Sequence, residues 1–198
     1  MRLVDYKNLK AAPSARISEA AFYYGDGEVI VGHRSRIDHG CIFTGSVRIG
    51  SYVHVAPYCL LYGKYGITLD DFAGIGASSI LHSEGDDYSG RSICSPLVEA
   101  QFREPAFGPI KLCRLANLGA RCTVLPNVTL HVGAAVGAHS LVKASCAEWG
   151  IYAGIPATWI RSRDRACEGM AAEIDGYAYE MAFMTGEAPC TPYFSQQH

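Results

Sequence analysis

Apolar residues recur at every sixth position through much of the chain. Val31, Ile37, Phe43, Ile49, Val55 and Leu61 form one run, and Leu112, Leu118, Val124, Leu130, Val136 and Val142 form another. Between them the step gains two residues at Gly63-Lys64-Tyr65-Gly66, which reads as a turn-like bulge, and then resumes at Leu69, Ile75 and Leu81. An amphipathic helix repeats at about 3.6 residues and a half-buried strand at 2, so neither alone gives a step of six. Short strands joined at corners do. Three hexads then close a coil of about eighteen residues, and each coil buries its apolar positions against the coils above and below. The pattern predicts an all-β fold, a parallel β-helix of hexapeptide repeats.

Gly32, Gly50, Gly76, Gly119 and Gly137 each follow an apolar repeat position, where a missing side chain is expected to let the backbone turn a tight corner. They are not a phosphate cradle, because neither G-x-G-x-x-G nor G-x-x-x-x-G-K-[ST] occurs. From about His82 to Pro109 the period dissolves into a polar stretch, and a long insertion in a rigid solenoid is usually functional. Beyond Arg161 the repeat stops. The segment from Arg165 to Met184 is rich in helix formers and is expected to cap the open end of the stack, with Thr185 to His198 as a tail. The predicted organisation is a lead-in at 1–26, a β-helix catalytic domain at 27–161 with a protruding loop at 82–109, and a C-terminal helix and tail at 162–198.

Composition narrows the function classes. The 198 residues, 49% of them hydrophobic, suffice for one core-bearing domain and a short appendage. Seventeen lysines and arginines against nineteen acidic residues give a net charge of -2, so no broad basic surface is on offer for nucleic acid or an anionic membrane. No apolar run approaches the roughly 20 residues that span a bilayer, and the first seven residues lack the apolar core of a secretion signal. A cytoplasmic location is expected. Eight cysteines include no C-x-x-C pair and read mostly as small buried hydrophobes.

On these residues the chain resembles the hexapeptide-repeat acyltransferases, which include galactoside, maltose and polysaccharide O-acetyltransferases and nucleotide-sugar N-acetyltransferases. The likeness covers about residues 27 to 161. It is carried by Ile49-Gly-Ser-Tyr-Val-His54-Val-Ala, Asp86-Asp-Tyr-Ser-Gly90, Leu125-Pro-Asn-Val-Thr-Leu130, Val136-Gly-Ala-His-Ser-Leu-Val142 and Ala153-Gly-Ile-Pro-Ala157. The resemblance implies a left-handed β-helix, assembled as a homotrimer with active sites at subunit boundaries. It also implies acetyl-CoA as the cosubstrate, no metal, and a small-molecule sugar or nucleotide-sugar acceptor.

Acyl transfer from a thioester needs a base for the acceptor's proton, and histidine is the usual choice. By alignment to the family's galactoside acetyltransferase pattern, His54 falls in the acceptor pocket together with Ala56. His82 lies where the repeat gives way to the loop, four residues before the position of the family's usual catalytic histidine, which is Asp86 here. His54 is therefore the expected base, with Asp86 or Asp87 orienting it or the acceptor, His82 as the rival, and Tyr88 available to stack on a sugar. His33, His39, His131 and His139 occupy polar repeat positions and read as surface residues. The resemblance maps coenzyme A contacts onto Gly119, Ala120, Ala138 and Lys143, with Arg161 able to meet its phosphates. Asn117 departs from a family tryptophan and Thr158 from a basic residue.

The first functional expectation is transfer of an acetyl group to a sugar hydroxyl, because the Asp86 to Gly90 loop resembles the O-acetyltransferase subgroup. An N-acetyltransferase acting on a nucleotide-linked amino sugar is the alternative, and a non-catalytic β-helix scaffold comes third. The γ-type carbonic anhydrases share the fold, but two of their histidine ligands lie five apart and no H-x-x-x-x-H occurs in this chain.

Overall fold

The computed structural model describes residues 8–185. Strands stack in parallel along three rows. In the first, Leu9 pairs with Val29, Val29 with Val47, Val47 with Ile67, and Ile67 with Ile110, which leads on to the strand Thr129–Leu130. In the second, Arg36 pairs with His54, His54 with Gly74, Gly74 with Asn117, and Asn117 with Ala135. In the third, Phe22 pairs with Ile42, Ile42 with Leu60, Leu60 with Ile80, Ile80 with Thr123, and Thr123 with Leu141. The rows are the faces of the solenoid. The long strands Ile42–Ile49 and Leu60–Leu69 bend from the third face into the first.

All fifteen apolar positions of the six-residue repeat are buried. They form one continuous core together with Cys41, Cys59, Cys122 and Cys146, as expected for small hydrophobes. Each fully buried leucine, isoleucine or phenylalanine contributes roughly 1.5–3 kcal/mol relative to exposure. A six-residue step is therefore strongly selected, because any slip turns the entire column outward.

Two expectations are corrected. Among the described residues the stack already includes the segment before residue 27, since Leu9–Ala11, Arg16–Ile17 and Phe22–Tyr24 pair with the following coil. This first coil shields the core from one side only, and its inward residues Leu9, Ala15 and Ile17 are only partly buried, which hides the repeat in the sequence. The glycines after apolar positions are also not the turning residues. The left-handed backbone falls two residues further on, at Arg34, Tyr52, Tyr58, Phe72, Ser78, Leu115, Arg121, Asn127 and His139, and at Gly40 and Gly133. The glycines serve close stacking instead. A Cβ on Gly32 would lie 2.5 Å from the Gly50 carbonyl oxygen of the next coil.

The corner residues between the first and second faces stack from coil to coil. Arg34 covers Tyr52, Tyr52 stacks on Phe72 at 4.8 Å, and Arg114 covers Phe72. The helix α1 (Ala166–Thr185) packs along this edge, with Ala171 buried against Leu115 and Trp149. Arg163 clamps its base by donating to the carbonyls of Leu115 and Gly133 at 2.9 and 2.8 Å. At the C-terminal end of the second face, Gly150–Gly154 and Ala157–Ser162 form an antiparallel hairpin. Among the described residues, no helix is long and apolar enough to cross a membrane.

Candidate functional site

His54 stands on the second face with its ring largely exposed, and its Nε2 lies 2.8 Å from Oδ2 of Asp38. The coil period explains the meeting. Arg36 is in register with His54, and Asp38 follows it by two, on the same side of the strand. Arg36 grips the same carboxylate with Nε at 2.6 Å and Nη2 at 3.0 Å. The Arg36 guanidinium, with His54 adding to it, holds the Asp38 carboxyl below its ordinary range. The carboxylate that meets His54 is thus Asp38, not Asp86 or Asp87. Sequence reasoning missed it, although the eighteen-residue period places it.

Asp38 opens the corner between the second and third faces. Ala56, Gly76, Gly119 and Gly137 hold the equivalent place on successive coils, each following an apolar repeat position. A ladder of buried thiols and hydroxyls fixes this edge from within. Cys41 donates to the Ala56 carbonyl at 3.2 Å, Cys59 to Gly76 at 3.3 Å, Ser79 to Gly119 at 3.0 Å and Cys122 to Gly137 at 3.2 Å. Gly119, Ala120 and Ala138 lie on this edge. Adjacent strands are about 4.8 Å apart, so His54 sits about two coil spacings below Gly119. Lys143 lies at the next corner, after the third face, and Arg161 on the antiparallel hairpin; both are exposed. Three of the five expected coenzyme A contacts therefore share one edge with the His54 pair, and two do not. Ala56 is buried.

His82 is on the third face, stacked on Tyr62 with ring centres 5.1 Å apart. It ends the strand Ile80–His82, where the insertion begins. The insertion returns through an antiparallel bridge of Glu84–Gly85 with Ala106–Phe107, which holds it over this face and leaves a pocket of about 560 Å³. Tyr62, His82 and Asp86 line it together with Thr44, Lys64 and Arg103. Burial pushes the His82 imidazole below its ordinary value, favouring the neutral ring. Asp87 has a local task instead. Its carboxylate accepts from the Ser89 amide at 2.9 Å and the Ser89 hydroxyl at 2.8 Å, and these bonds hold it below its ordinary range. Tyr88 projects into solvent at 89% exposure.

Two clusters result, the His54 pair with the small-residue edge and the His82 pocket under the insertion. They occupy different faces of one chain. Tyr62, Lys64, Glu84 and Arg103 were not anticipated. Tyr62 could have been found from the two-residue bulge, which sets it twenty positions before His82. Arg103 lies in the insertion, where no period points to it.

No protein-family model matches the chain. The dTDP-4-amino-4,6-dideoxy-D-glucose acyltransferase of Escherichia coli is 34% identical over 155 residues, covering 77% of this chain and 81% of that protein. AntD, an N-acyltransferase from Bacillus cereus solved with dTDP and 3-hydroxybutyryl-CoA, superposes with a TM-score of 0.82 at 36% identity, over 85% of this chain and 90% of AntD. An Escherichia coli K12 protein assigned to lipopolysaccharide biosynthesis as the O-acetyl transferase WbbJ is 26% identical over 60% of this chain and 59% of its own length. With its six-residue core column and three-row parallel stack, the chain belongs to the hexapeptide-repeat acyltransferase family.

Proposed function

We propose that the protein transfers an acyl group from an acyl-CoA thioester to the amino group of a nucleotide-linked amino sugar, working as a homotrimer. The observation that carries this reading is the likeness, at 34 and 36% identity over more than four-fifths of their lengths, to one protein named for acylating an amino sugar and another named as an N-acyltransferase. The protein named for O-acetylation is more distant and matched over a shorter stretch. An amine therefore takes the place of the sugar hydroxyl expected first from the loop.

In this reading the amine attacks the thioester carbonyl, the C–N bond forms, the C–S bond breaks, and the nitrogen gives up a proton. His54 takes that proton. Asp38 favours this role, since a carboxylate on Nε2 fixes the tautomer that leaves Nδ1 free as the acceptor. Acetyl-CoA or a longer acyl-CoA lies along the edge of Gly119, Ala120 and Ala138, where small residues let the pantetheine arm approach the backbone, and Lys143 and Arg161 meet the phosphates. A second reading gives the base to His82, favoured by its place in the pocket wall and its neutral ring. In both readings Asp86 and Tyr88 attend the acceptor.

The test is thiol release from acetyl-CoA and 3-hydroxybutyryl-CoA, with mass analysis of the product, against dTDP-4-amino-4,6-dideoxyglucose and a panel of neutral sugars. Formation of an amide on the amino sugar is expected. Turnover confined to sugars without an amine would overturn the reading.

A further inference from the structure

Arg103 is mostly buried in the wall of the pocket beneath the insertion, loosely ion-paired with two carboxylates but hydrogen-bonded to neither. Its Nε is sealed from solvent and has no hydrogen-bond partner among the described residues. Its Nη2 stands 3.9 Å from Glu84 and 3.8 Å from Asp86, both beyond hydrogen-bonding distance. Glu84 is already engaged by Lys64, whose Nζ donates to both carboxylate oxygens at 2.8 and 2.9 Å. A buried donor left without a hydrogen bond is costly, and a guanidinium is a fork shaped for the oxygens of phosphate. Beside it, the Tyr62 and His82 rings stack into a flat aromatic wall, and about 560 Å³ of space lies in front, which is the scale of a small-molecule site.

We infer that this pocket holds the diphosphate of the acceptor, with Arg103 as its anion-binding residue. The inference rests on the reading of the acceptor as nucleotide-linked and adds where on the chain that group is gripped. The charges of the pocket suit such a molecule. A diphosphate meets Arg103, with the Lys64–Glu84 pair close by, while Asp86, which among the described residues is paired only with Arg103 at 3.8 Å, faces the ammonium or a hydroxyl of the attached sugar. Arg103 is contributed by the insertion, so the segment that interrupts the repeat is what gives the solenoid an acceptor site.

Thymidine diphosphate and uridine diphosphate serve as probes in calorimetric titrations of the full chain. With Arg103→Gln, affinity for the diphosphate falls about tenfold or more, while KM for acyl-CoA stays as in the wild type. Asp86→Asn moves the same affinity the other way, tightening it, because a negative neighbour of the bound anion is removed. This second variant keeps the test decisive should Arg103→Gln fold poorly. Equal affinity in wild type and Arg103→Gln, or no gain in Asp86→Asn, overturns the assignment and leaves the nucleotide-linked reading standing. A wild-type protein that binds neither diphosphate yet acylates a free sugar overturns both.

Discussion

His54 and Asp38 meet at 2.8 Å across two adjacent coils, and Arg36 grips both oxygens of the same carboxylate. The three residues make a chain in which each side chain fixes the next. Arg36 keeps Asp38 charged, the charged carboxylate accepts from Nε2, and the imidazole is left with Nδ1 as its acceptor nitrogen. The stacking of coils performs this positioning. Arg36 and His54 are parallel partners eighteen residues apart on this face, so a polar side chain on one coil is presented to the outward side chain of the next.

Replacement of His54 by alanine is expected to lower turnover by about 10²-fold or more, the loss typical of a removed general base, with acyl-CoA still bound. Asp38→Asn also lowers turnover, because the amide can present its NH₂ to Nε2 and select the wrong tautomer. Steady-state kinetics on both variants, with acyl-CoA binding measured separately, checks this. Near-normal turnover in His54→Ala would transfer the role to His82, and His82→Gln would then carry the large loss.

The His82 ring makes stability depend on pH in a direction that burial dictates. Its ordinary value is 6.5 and the folded state holds it lower, so the unfolded chain binds the proton more readily. Stability is then untouched well above 6.5, declines as the pH falls through that value, and levels off below the folded-state value. Melting temperatures recorded from about pH 7.5 to about pH 5 should show this decline in the wild type and a shallower one in His82→Gln. An identical slope in both proteins would mean that the ring pays no desolvation penalty.

The repeat is legible because the core column is periodic and unmixed, so that from Val31 to Leu81 and again from Leu112 to Val142 the inward positions can be read directly from the sequence. What could not be read lies across the chain direction or outside the period. Asp38 meets His54 only because the coils stack, and nothing within either hexad reveals it. Arg103 belongs to an insertion whose path is set by one short bridge, Glu84–Gly85 against Ala106–Phe107, and by contacts with a face formed forty residues earlier. Asp86 and Asp87, adjacent in sequence, separate in role, since Asp87 turns back onto Ser89 and Asp86 faces the pocket. Position in the loop could not distinguish them.

The glycines along the proposed cofactor edge allow a test of coil stacking that is independent of activity. A Cβ on Gly119 would lie 2.5 Å from the Ala138 amide nitrogen and 2.8 Å from the Gly137 carbonyl carbon. Both are backbone atoms of the next coil, so they cannot rotate away as a flexible side chain could. Gly119→Ala must therefore push two coils apart, at a cost of about 1–3 kcal/mol, which is a fall of several degrees in melting temperature for a chain of this size. Gly74 is a matched control, since it pairs with Asn117 of the next coil on the second face and a Cβ there meets nothing closer than the Asn117 side chain at 3.5 Å. Gly74→Ala should be nearly neutral. Thermal or denaturant unfolding of the two variants side by side decides the matter, and equal stability would show that the glycine edge is not closed tightly enough to need the missing side chain. The acyl-CoA KM of the same variants then separates the two tasks of Gly119, because a residue that only lets the coils stack alters stability first, whereas one that also borders the cofactor raises KM in protein that is still fully folded.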